Sequence, residues 1–402
     1  MTTRLLAALA ALAVLLAATN EWTTWDEGIR LLEASDVRSY ETIAAAAPGL
    51  PDQDLPAQHA RRFVPHWALG SAADATGIDL YALYRVAWGL LVVAIVAALH
   101  LTLARLRAGR GAYWLAMALL VANAYAFRYY AIAPGVLADL VLVAGLAWAL
   151  YGLVARRFAV VAAALVVGAV GRETLIPLLP LILAWIALGP GWRELDARRR
   201  ALLGAAAAAC VLAPYVLLRL VSGPFSLPAT LGLSDFGSTP ETPPSVGDLT
   251  LLSPGSASEL GEHALRVLAP HVVPLALLAT VLWLARVPPR RLPALFWLGL
   301  ATWALVVAQP LGLSPEYAAD NETRLSAIGL VPLLVAVAAI PLSLRLRPWQ
   351  AVLAAALLVV ASLHHTYATT GPESAPQFVA LEVAVAAVLA GLAVSAAAQQ
   401  PG

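Results

Sequence analysis

The sequence predicts an all-α polytopic membrane protein, and three observations carry that prediction. Of the 402 residues, 61% are hydrophobic and only 12% are charged, and the mean hydropathy is +0.80. Apolar runs rich in Ala, Leu and Val recur from one end of the chain to the other, and most arginines fall between them. This composition is typical of proteins whose helices cross a lipid bilayer several times.

The apolar runs predict about twelve transmembrane helices in a single domain that covers residues 1–402. They lie near 4–19, 78–103, 112–127, 135–154, 158–170, 175–189, 201–221, 264–286, 292–311, 326–343, 349–366 and 377–397. Some runs, such as 158–170, are shorter than the ~20 residues that cross the hydrocarbon, so tilted or re-entrant segments stay open. The first run follows Arg4 and also fits a cleaved signal peptide. We prefer an uncleaved span, because the arginines then agree with a single orientation of all the spans.

The arginines predict an orientation in which both termini are cytoplasmic. With the first span included, every inner turn carries arginine, as the positive-inside rule requires. The inner arginines are Arg105, Arg107, Arg110, Arg156, Arg157, Arg193, Arg198, Arg199, Arg200, Arg286, Arg290, Arg291, Arg345 and Arg347. The long loops 20–76 and 222–263 then lie outside an inner (plasma) membrane. The second loop is rich in Pro, Ser and Gly, and it is either a cover for substrate or a passive connector.

Other compositional features narrow the class further. All 25 basic residues are arginine, which is typical of GC-rich coding and leads us to expect a bacterial source. No basic tail or patch predicts a nucleic-acid partner. The single cysteine, Cys210, provides neither a disulfide framework nor a cysteine metal cluster, and no ligand spacing demands a metal.

The outer loop 20–76 holds an unusual share of the acids and is the first candidate for chemistry, because loops carry function more often than spans do. Thr24 and Glu27 match a capping box, which gives Glu27 a structural explanation. Asp26 needs no such role, although an ordinary acidic residue in a first helical turn is the alternative. Short helices are expected over Ser39–Ala47 and His59–Ala68.

Two arginines in the same outer loop are exceptions to the preference of arginine for inner loops. Arg61 and Arg62 are adjacent and lie on the outer side, which indicates an anion as partner. The alternative is that they neutralise Asp52 and Asp54.

Further charges lie at the outer mouths of spans. Arg172 precedes a helix whose free amides would face it, a combination that suits a phosphate; the alternative is a turn closed by an ion pair with Glu173. Arg324, after Glu322, heads a late span and is a second anion candidate. Asp139, inside an apolar run, is expected to face the bundle and to pair with an arginine, either Arg128 or Arg172.

Together these motifs resemble the GT-C superfamily of membrane glycosyltransferases, in particular bacterial members that use polyprenyl-phosphate sugars. The resemblance is carried by short motifs and by the architecture, and it covers most of the chain. The motifs are Trp25-Asp26-Glu27, the helical stretch Asp36 to Tyr40, Arg62-Phe63-Val64-Pro65, Gly171-Arg172-Glu173-Thr174 and Glu322-Thr323-Arg324.

The resemblance implies roles for individual residues. Asp26 would be the catalytic carboxylate, with Glu27 as second choice. Arg172 and Arg324 would bind the lipid phosphate. The other cavity and phosphate candidates are Arg61, Arg62, Glu173, Glu322, Tyr40, Arg128 and Asp139.

The family resemblance also implies the partners of the reaction. The donor is a lipid-linked sugar held in membrane lipid, and the acceptor is a cell-envelope glycan, a lipid or a protein. No cofactor is required, because arginine can supply the charge that a metal supplies elsewhere, although a divalent ion stays open.

Two other classes fit parts of the sequence. A secondary transporter fits the number of spans, with Asp139 or Glu382 as coupling carboxylates. A non-catalytic membrane protein is the third reading. A transporter needs polar groups on both sides of its midplane, whereas a transferase needs only an outward site.

Overall fold

The protein is helical throughout the part of the chain that the structure describes. The computed structural model describes residues 2–19, 35–123, 125–226, 257–312, 322–340, 346–363 and 375–399. Its α-helices are α1 Thr2–Thr19, α2 Ser35–Ala46, α3 Ala57–Arg61, α4 Phe63–Thr76, α5 Leu80–Arg105, α6 Arg110–Val121, α7 Arg128–Ile132, α8 Leu137–Ala155, α9 Phe158–Gly171, α10 Leu179–Leu188, α11 Ala197–Ser222, α12 Ala257–Leu268, α13 Val272–Ala285, α14 Ala294–Gly312, α15 Glu322–Ala327, α16 Leu330–Ala338, α17 Pro348–Ser362 and α18 Ala375–Ala398.

Six helical segments are long and apolar enough to cross a membrane by length and composition. They are Leu80–Arg105, Pro134–Ala155, Ala197–Phe225, Leu260–Ala285, Ala294–Gly312 and Val379–Ala398. Six shorter apolar helices lie between or before them, from Thr3–Thr19 to Pro348–Ser362. The prediction of a multi-pass helical membrane protein is supported at this level, and the count of twelve spans stays a prediction.

The helix bundle has two ends that differ in character. Arg128, just ahead of α8, donates to the carbonyl oxygen of Thr19 at the end of α1 and to Ser362 at the end of α17. The start of α8 and the ends of α1 and α17 therefore meet, and we call this the site end. The other end, which holds the turns 106–109, 156–157 and 286–293, we call the opposite end.

Glycines allow α8 and α9 to pack with their backbones in close contact. A Cβ atom on Gly145 would lie 2.6 Å from the Cα of Gly168, and one on Gly171 would lie 2.7 Å from the carbonyl oxygen of Ala138. Small residues at helix crossings are how membrane helices approach closely, since packing replaces the hydrophobic effect there. The Gly171 contact fixes the neighbouring residue, Arg172, beside the first turn of α8.

Arginines crowd the opposite end, where they also terminate helices. Arg107, Arg156 and Arg286 adopt φ values of 53°, 56° and 48°, in the left-handed region usually left to glycine. A cation at a helix C-terminus is favoured by the helix dipole, which offsets part of the backbone strain. The described turns at this end thus carry the arginines that the orientation argument assigns to inner loops.

The described part of the first loop folds into three short helices that dock on the site end. Gly70 of α4 brings that helix against Ala44 of α2, and Trp67 donates to the carbonyl oxygens of Pro48 and Gly49 at 3.0 and 3.1 Å. Leu55 pairs as an isolated β-bridge with Ser226 after α11. The loop is therefore attached to the spans rather than separate from them.

Local chemistry moved several predicted boundaries. The predicted run 112–127 ends as a helix at Val121, because the Asn123 side chain accepts from the Tyr125 amide and donates to the Pro270 carbonyl. The predicted helix over His59–Ala68 is instead two helices that meet at Arg62. The run 264–286 is interrupted by a 3-10 turn that contains Pro270.

Replacing Gly145 by Ala tests the close packing of α8 on α9. The new methyl group would contact the α9 backbone, so the variant should lose about 1–3 kcal/mol of unfolding free energy, measured by thermal unfolding in detergent. Gly89→Ala is the matched control, since a Cβ there meets nothing within 4 Å. Equal melting temperatures for the two variants would show that the glycine contact is not a packing constraint.

Candidate functional site

Three charged side chains from different parts of the chain meet inside the site end. Asp139 lies in the first turn of α8, Arg172 follows the last residue of α9, and Arg324 lies in α15. Their exposed fractions are 2%, 7% and 7%. We call this set the Asp139 cluster.

The carboxylate of Asp139 is shared between the two guanidinium groups. Arg172 Nη1 contacts Oδ1 of Asp139, and Arg324 Nε lies 3.0 Å from Oδ2. The extended backbone of Arg172, at φ −164° and ψ 145°, carries its side chain across from α9 to α8. The site end thus brings two guanidinium groups to one buried carboxylate.

Aromatic and hydroxyl groups complete the surroundings of the Asp139 cluster. The Tyr129 hydroxyl accepts from Arg324 Nη1 at 3.4 Å, and the guanidinium lies 5.6 Å from the centre of the Tyr129 ring. Buried Tyr130 follows in the same short helix, α7. These contacts hold Arg324 in place without neutralising its charge.

Arg128 is buried at the same end and ties two helix termini together. Its side chain is 1% exposed and donates to the Thr19 carbonyl at 2.9 Å, to the Thr19 hydroxyl at 2.8 Å and to Ser362 at 2.8 Å. Because α1 ends at Thr19, this contact fixes the point from which the chain continues toward Asp26.

A second ion pair attaches the first loop to the spans. Arg62, between α3 and α4, donates to Glu173 Oε1 at 2.5 Å and to Tyr40 at 3.5 Å. Burial alone would lower the pKa of Arg62, but the carboxylate of Glu173 and the nearby Tyr40 raise it above its ordinary value. Since Glu173 follows Arg172 directly, the loop is held beside the Asp139 cluster.

A buried histidine lies next to this ion pair. The His66 ring stacks on Tyr40 with 4.0 Å between centroids, and its Nδ1 lies 2.7 Å from the Tyr84 hydroxyl. Its Nε2 has no hydrogen-bond partner among the described residues. Burial, with His59 and Arg62 nearby, lowers the pKa of His66 to about 3, so the ring is neutral at physiological pH.

Some expected contacts are present and others are replaced. Asp139 does pair with Arg172, as expected for an acid inside an apolar helix. The turn at Arg172 is not closed by an ion pair with Glu173, since each residue pairs elsewhere. Among the described residues, Arg62 pairs with Glu173 and not with Asp52 or Asp54.

Several sequence candidates cannot be placed. Asp26 and Glu27 lie outside the described residues, and so does the side chain of Glu322. Arg61 is half-buried in α3, next to Arg62. The roles expected for these residues stay predictions.

Three buried polar contacts have no signal in the sequence. His59 Nδ1 lies 3.0 Å from the Ser39 hydroxyl, and Glu382 of α18 accepts from the Val273 amide at 3.3 Å. The third is the contact of His66 with Tyr84. None follows a motif, because the partners lie far apart in the sequence. Among the described residues, no group of three His, Cys, Asp or Glu side chains could hold a metal.

Removing the carboxylate of Glu173 tests the docking of the first loop. Glu173→Gln leaves Arg62 buried without its anion and should cost about 1–3 kcal/mol of unfolding free energy, with faster limited proteolysis in the loop. Glu194→Gln is the control, because its pair with Arg156 spans 3.1 Å between side chains 67% and 52% exposed. That pair should contribute less than about 1 kcal/mol. Equal losses in both variants would contradict the docking role.

The neutral state of His66 predicts an acid-sensitive fold. The pKa of His66 in the folded protein is about 3, below the ordinary 6.5. The unfolded chain therefore binds a proton more readily, and the resulting destabilisation is absent above pH 6.5 and grows as the pH falls toward 3. Between pH 7 and pH 5 the wild type should lose about 2 kcal/mol more than His66→Gln. The measurement is the unfolding free energy of both proteins at each pH. Parallel profiles of unfolding free energy against pH would refute the prediction.

Comparison with known proteins identifies no family for this chain. No protein-family model, curated protein or solved structure matches the chain. The described residues establish an all-helical protein with six candidate membrane spans and, at one end, the buried Asp139 cluster.

Proposed function

We propose that the protein is a membrane glycosyltransferase that moves a sugar from a polyprenyl-phosphate donor to an extracytoplasmic acceptor. The observation that carries the proposal is the convergence of Arg172 and Arg324 on Asp139. The family resemblance implies that both arginines bind the lipid phosphate, and the two come from distant parts of the chain.

The two guanidinium groups of the Asp139 cluster support an anionic ligand. Ionisable groups are costly to bury inside membrane proteins and are usually functional for that reason. Guanidinium groups bind phosphate oxygens through paired hydrogen bonds, so Arg172 and Arg324 suit a phosphate ligand. In the absence of ligand, Asp139 holds both arginines in position.

The distribution of buried charge favours a transferase over a transporter. Among the described residues, the buried Arg, Asp and Glu side chains all belong to the site end; they are Arg62, Arg128, Asp139, Arg172, Arg324 and Glu382. Glu382 belongs there because it accepts from Val273, close to His271, which contacts the Ser326 carbonyl. Toward the opposite end the described buried polar side chains, such as His100, Thr102 and Gln350, include no carboxylate that could couple transport.

The proposed reaction inverts the configuration at the sugar. The acceptor oxygen forms a bond to the anomeric carbon while the bond from that carbon to the phosphate oxygen breaks with its electron pair. The acceptor proton passes to the carboxylate of Asp26, with Glu27 as second choice. The phosphate departs with one more negative charge, which Arg172 and Arg324 stabilise.

Connectivity is compatible with this assignment. Asp26 follows Thr19 by seven residues, so the chain can place it at most ~24 Å from that residue. Arg128 holds Thr19 itself at the site end, beside the end of α17. Arg62 holds the described part of the first loop there through Glu173.

The proposed membrane topology has twelve spans, with both termini cytoplasmic in a bacterial plasma membrane. The arginines at the opposite end then obey the positive-inside rule. The Asp139 cluster, the first loop and the second loop would face the extracytoplasmic side, where envelope acceptors are found.

Transfer of radiolabelled sugar from a panel of polyprenyl-phosphate sugars, with purified protein in native-lipid vesicles, tests the proposal. Arg172→Gln and Arg324→Gln should each lower kcat/KM by about 10²- to 10³-fold. Asp26→Asn should lower kcat by about 10²- to 10⁴-fold and leave donor binding intact.

Arg219→Gln is the matched control, because Arg219 is exposed near the end of α11 and contacts only Tyr215 in the described structure. It should retain full activity. Absence of transfer with every donor, or undiminished transfer by Asp26→Asn, would overturn the proposal, and solute uptake would be the next assay.

A further inference from the structure

An apolar cavity of about 110 Å³ lies at the opposite end of the bundle, away from the Asp139 cluster. Its wall is formed by α6, α13, α16, α17 and α18, through residues such as Leu115, Leu277, Val337, Ala354 and Ala393. None of the lining residues is polar or charged. The proposed transferase chemistry uses no part of it.

The chemistry of the wall selects a hydrocarbon occupant. Water needs two to four polar partners in a buried site, and apolar cavities of roughly 150 Å³ stay dry and take apolar guests. If it stayed empty, the cavity would also forfeit dispersion contacts. The most abundant hydrocarbon around a membrane protein is the acyl chain of a lipid.

The mouth of the cavity carries positive charge. Lining residues Gly111 and Leu346 are exposed, and they are adjacent in sequence to Arg110 and Arg347, which are exposed as well. Trp349 follows with 55% of its surface exposed. Exposed tryptophan beside arginine is typical of the interface between hydrocarbon and headgroups.

We propose that this cavity binds one acyl chain of an anionic phospholipid, whose phosphate lies between Arg110 and Arg347. The occupant is a lipid of the leaflet at the opposite end and not the sugar donor. Basic sites between helices on such a face suit anionic headgroups, and each arginine near the surface contributes about fivefold in affinity. The lipid would join α17 to α6 and α18.

Native mass spectrometry in detergent tests the site, with phosphatidylglycerol and phosphatidylcholine of identical chains as probes. The wild type should bind phosphatidylglycerol about 25-fold tighter than phosphatidylcholine, and Arg110→Gln or Arg347→Gln should each remove about fivefold of that preference. Arg198→Gln is the charge control, because Arg198 is exposed in the first turn of α11 at the same end. The proposal is overturned if the wild type shows no preference for phosphatidylglycerol, or if both arginine variants keep that preference.

Filling the cavity tests the acyl-chain half of the proposal. Ala354→Phe and Ala393→Phe should each weaken binding of both lipids at least about tenfold, while Ala355→Phe on the exposed face of α17 should not. Unchanged binding in both filled variants, or displacement of the bound phospholipid by a polyprenyl phosphate, refutes it. Arg172→Gln should leave phosphatidylglycerol binding intact, which separates this site from the proposed function.

Discussion

The structure depends on one electrostatic constraint, which is the sharing of the Asp139 carboxylate between two guanidinium groups inside an apolar bundle. None of the three charges would be tolerated alone at that depth, so each requires the other two to be placed correctly. Asp139 belongs to α8, Arg172 to the end of α9 and Arg324 to α15. The cluster therefore fixes three distant parts of the chain relative to one another.

Backbone packing makes this arrangement possible. The glycine contacts between α8 and α9, including Gly171 against Ala138, bring the end of one helix against the start of the other. Around this pair, Arg62 attaches the first loop through Glu173, and Arg128 attaches the ends of α1 and α17. Ion pairs with buried arginines thus hold one end of the bundle together, whereas the other carries exposed arginines and an apolar cavity.

The positions of the helices could be predicted from the sequence better than the side-chain contacts between them. Apolar runs indicated every long helix, because lipid demands uninterrupted apolar length. Boundaries failed where a side chain or proline ended a helix, as at Asn123 and Pro270. Asp139 was expected to find an arginine, because an unpaired acid in an apolar run is costly.

The remaining contacts could not be predicted, for physical reasons. Arg62 and Glu173 are 111 residues apart, and each had a closer charged neighbour that offered a simpler explanation. Sequence spacing cannot show that Arg324 shares Asp139 with Arg172. His66 and Tyr84 form their contact only because α4 docks on α5, and neither residue belongs to a motif.

The measurement that tests the central claim most directly is the thermal shift caused by a polyprenyl phosphate, compared with the shift caused by the same polyprenol without phosphate. The wild type should be stabilised by the phosphate alone. Asp139→Asn should melt lower and be stabilised more, because its arginines have lost their carboxylate and ligand binding raises apparent stability. Arg172→Gln combined with Arg324→Gln should show no phosphate-dependent shift. An equal shift in that double variant and the wild type would show that the Asp139 cluster is structural and binds no phosphate.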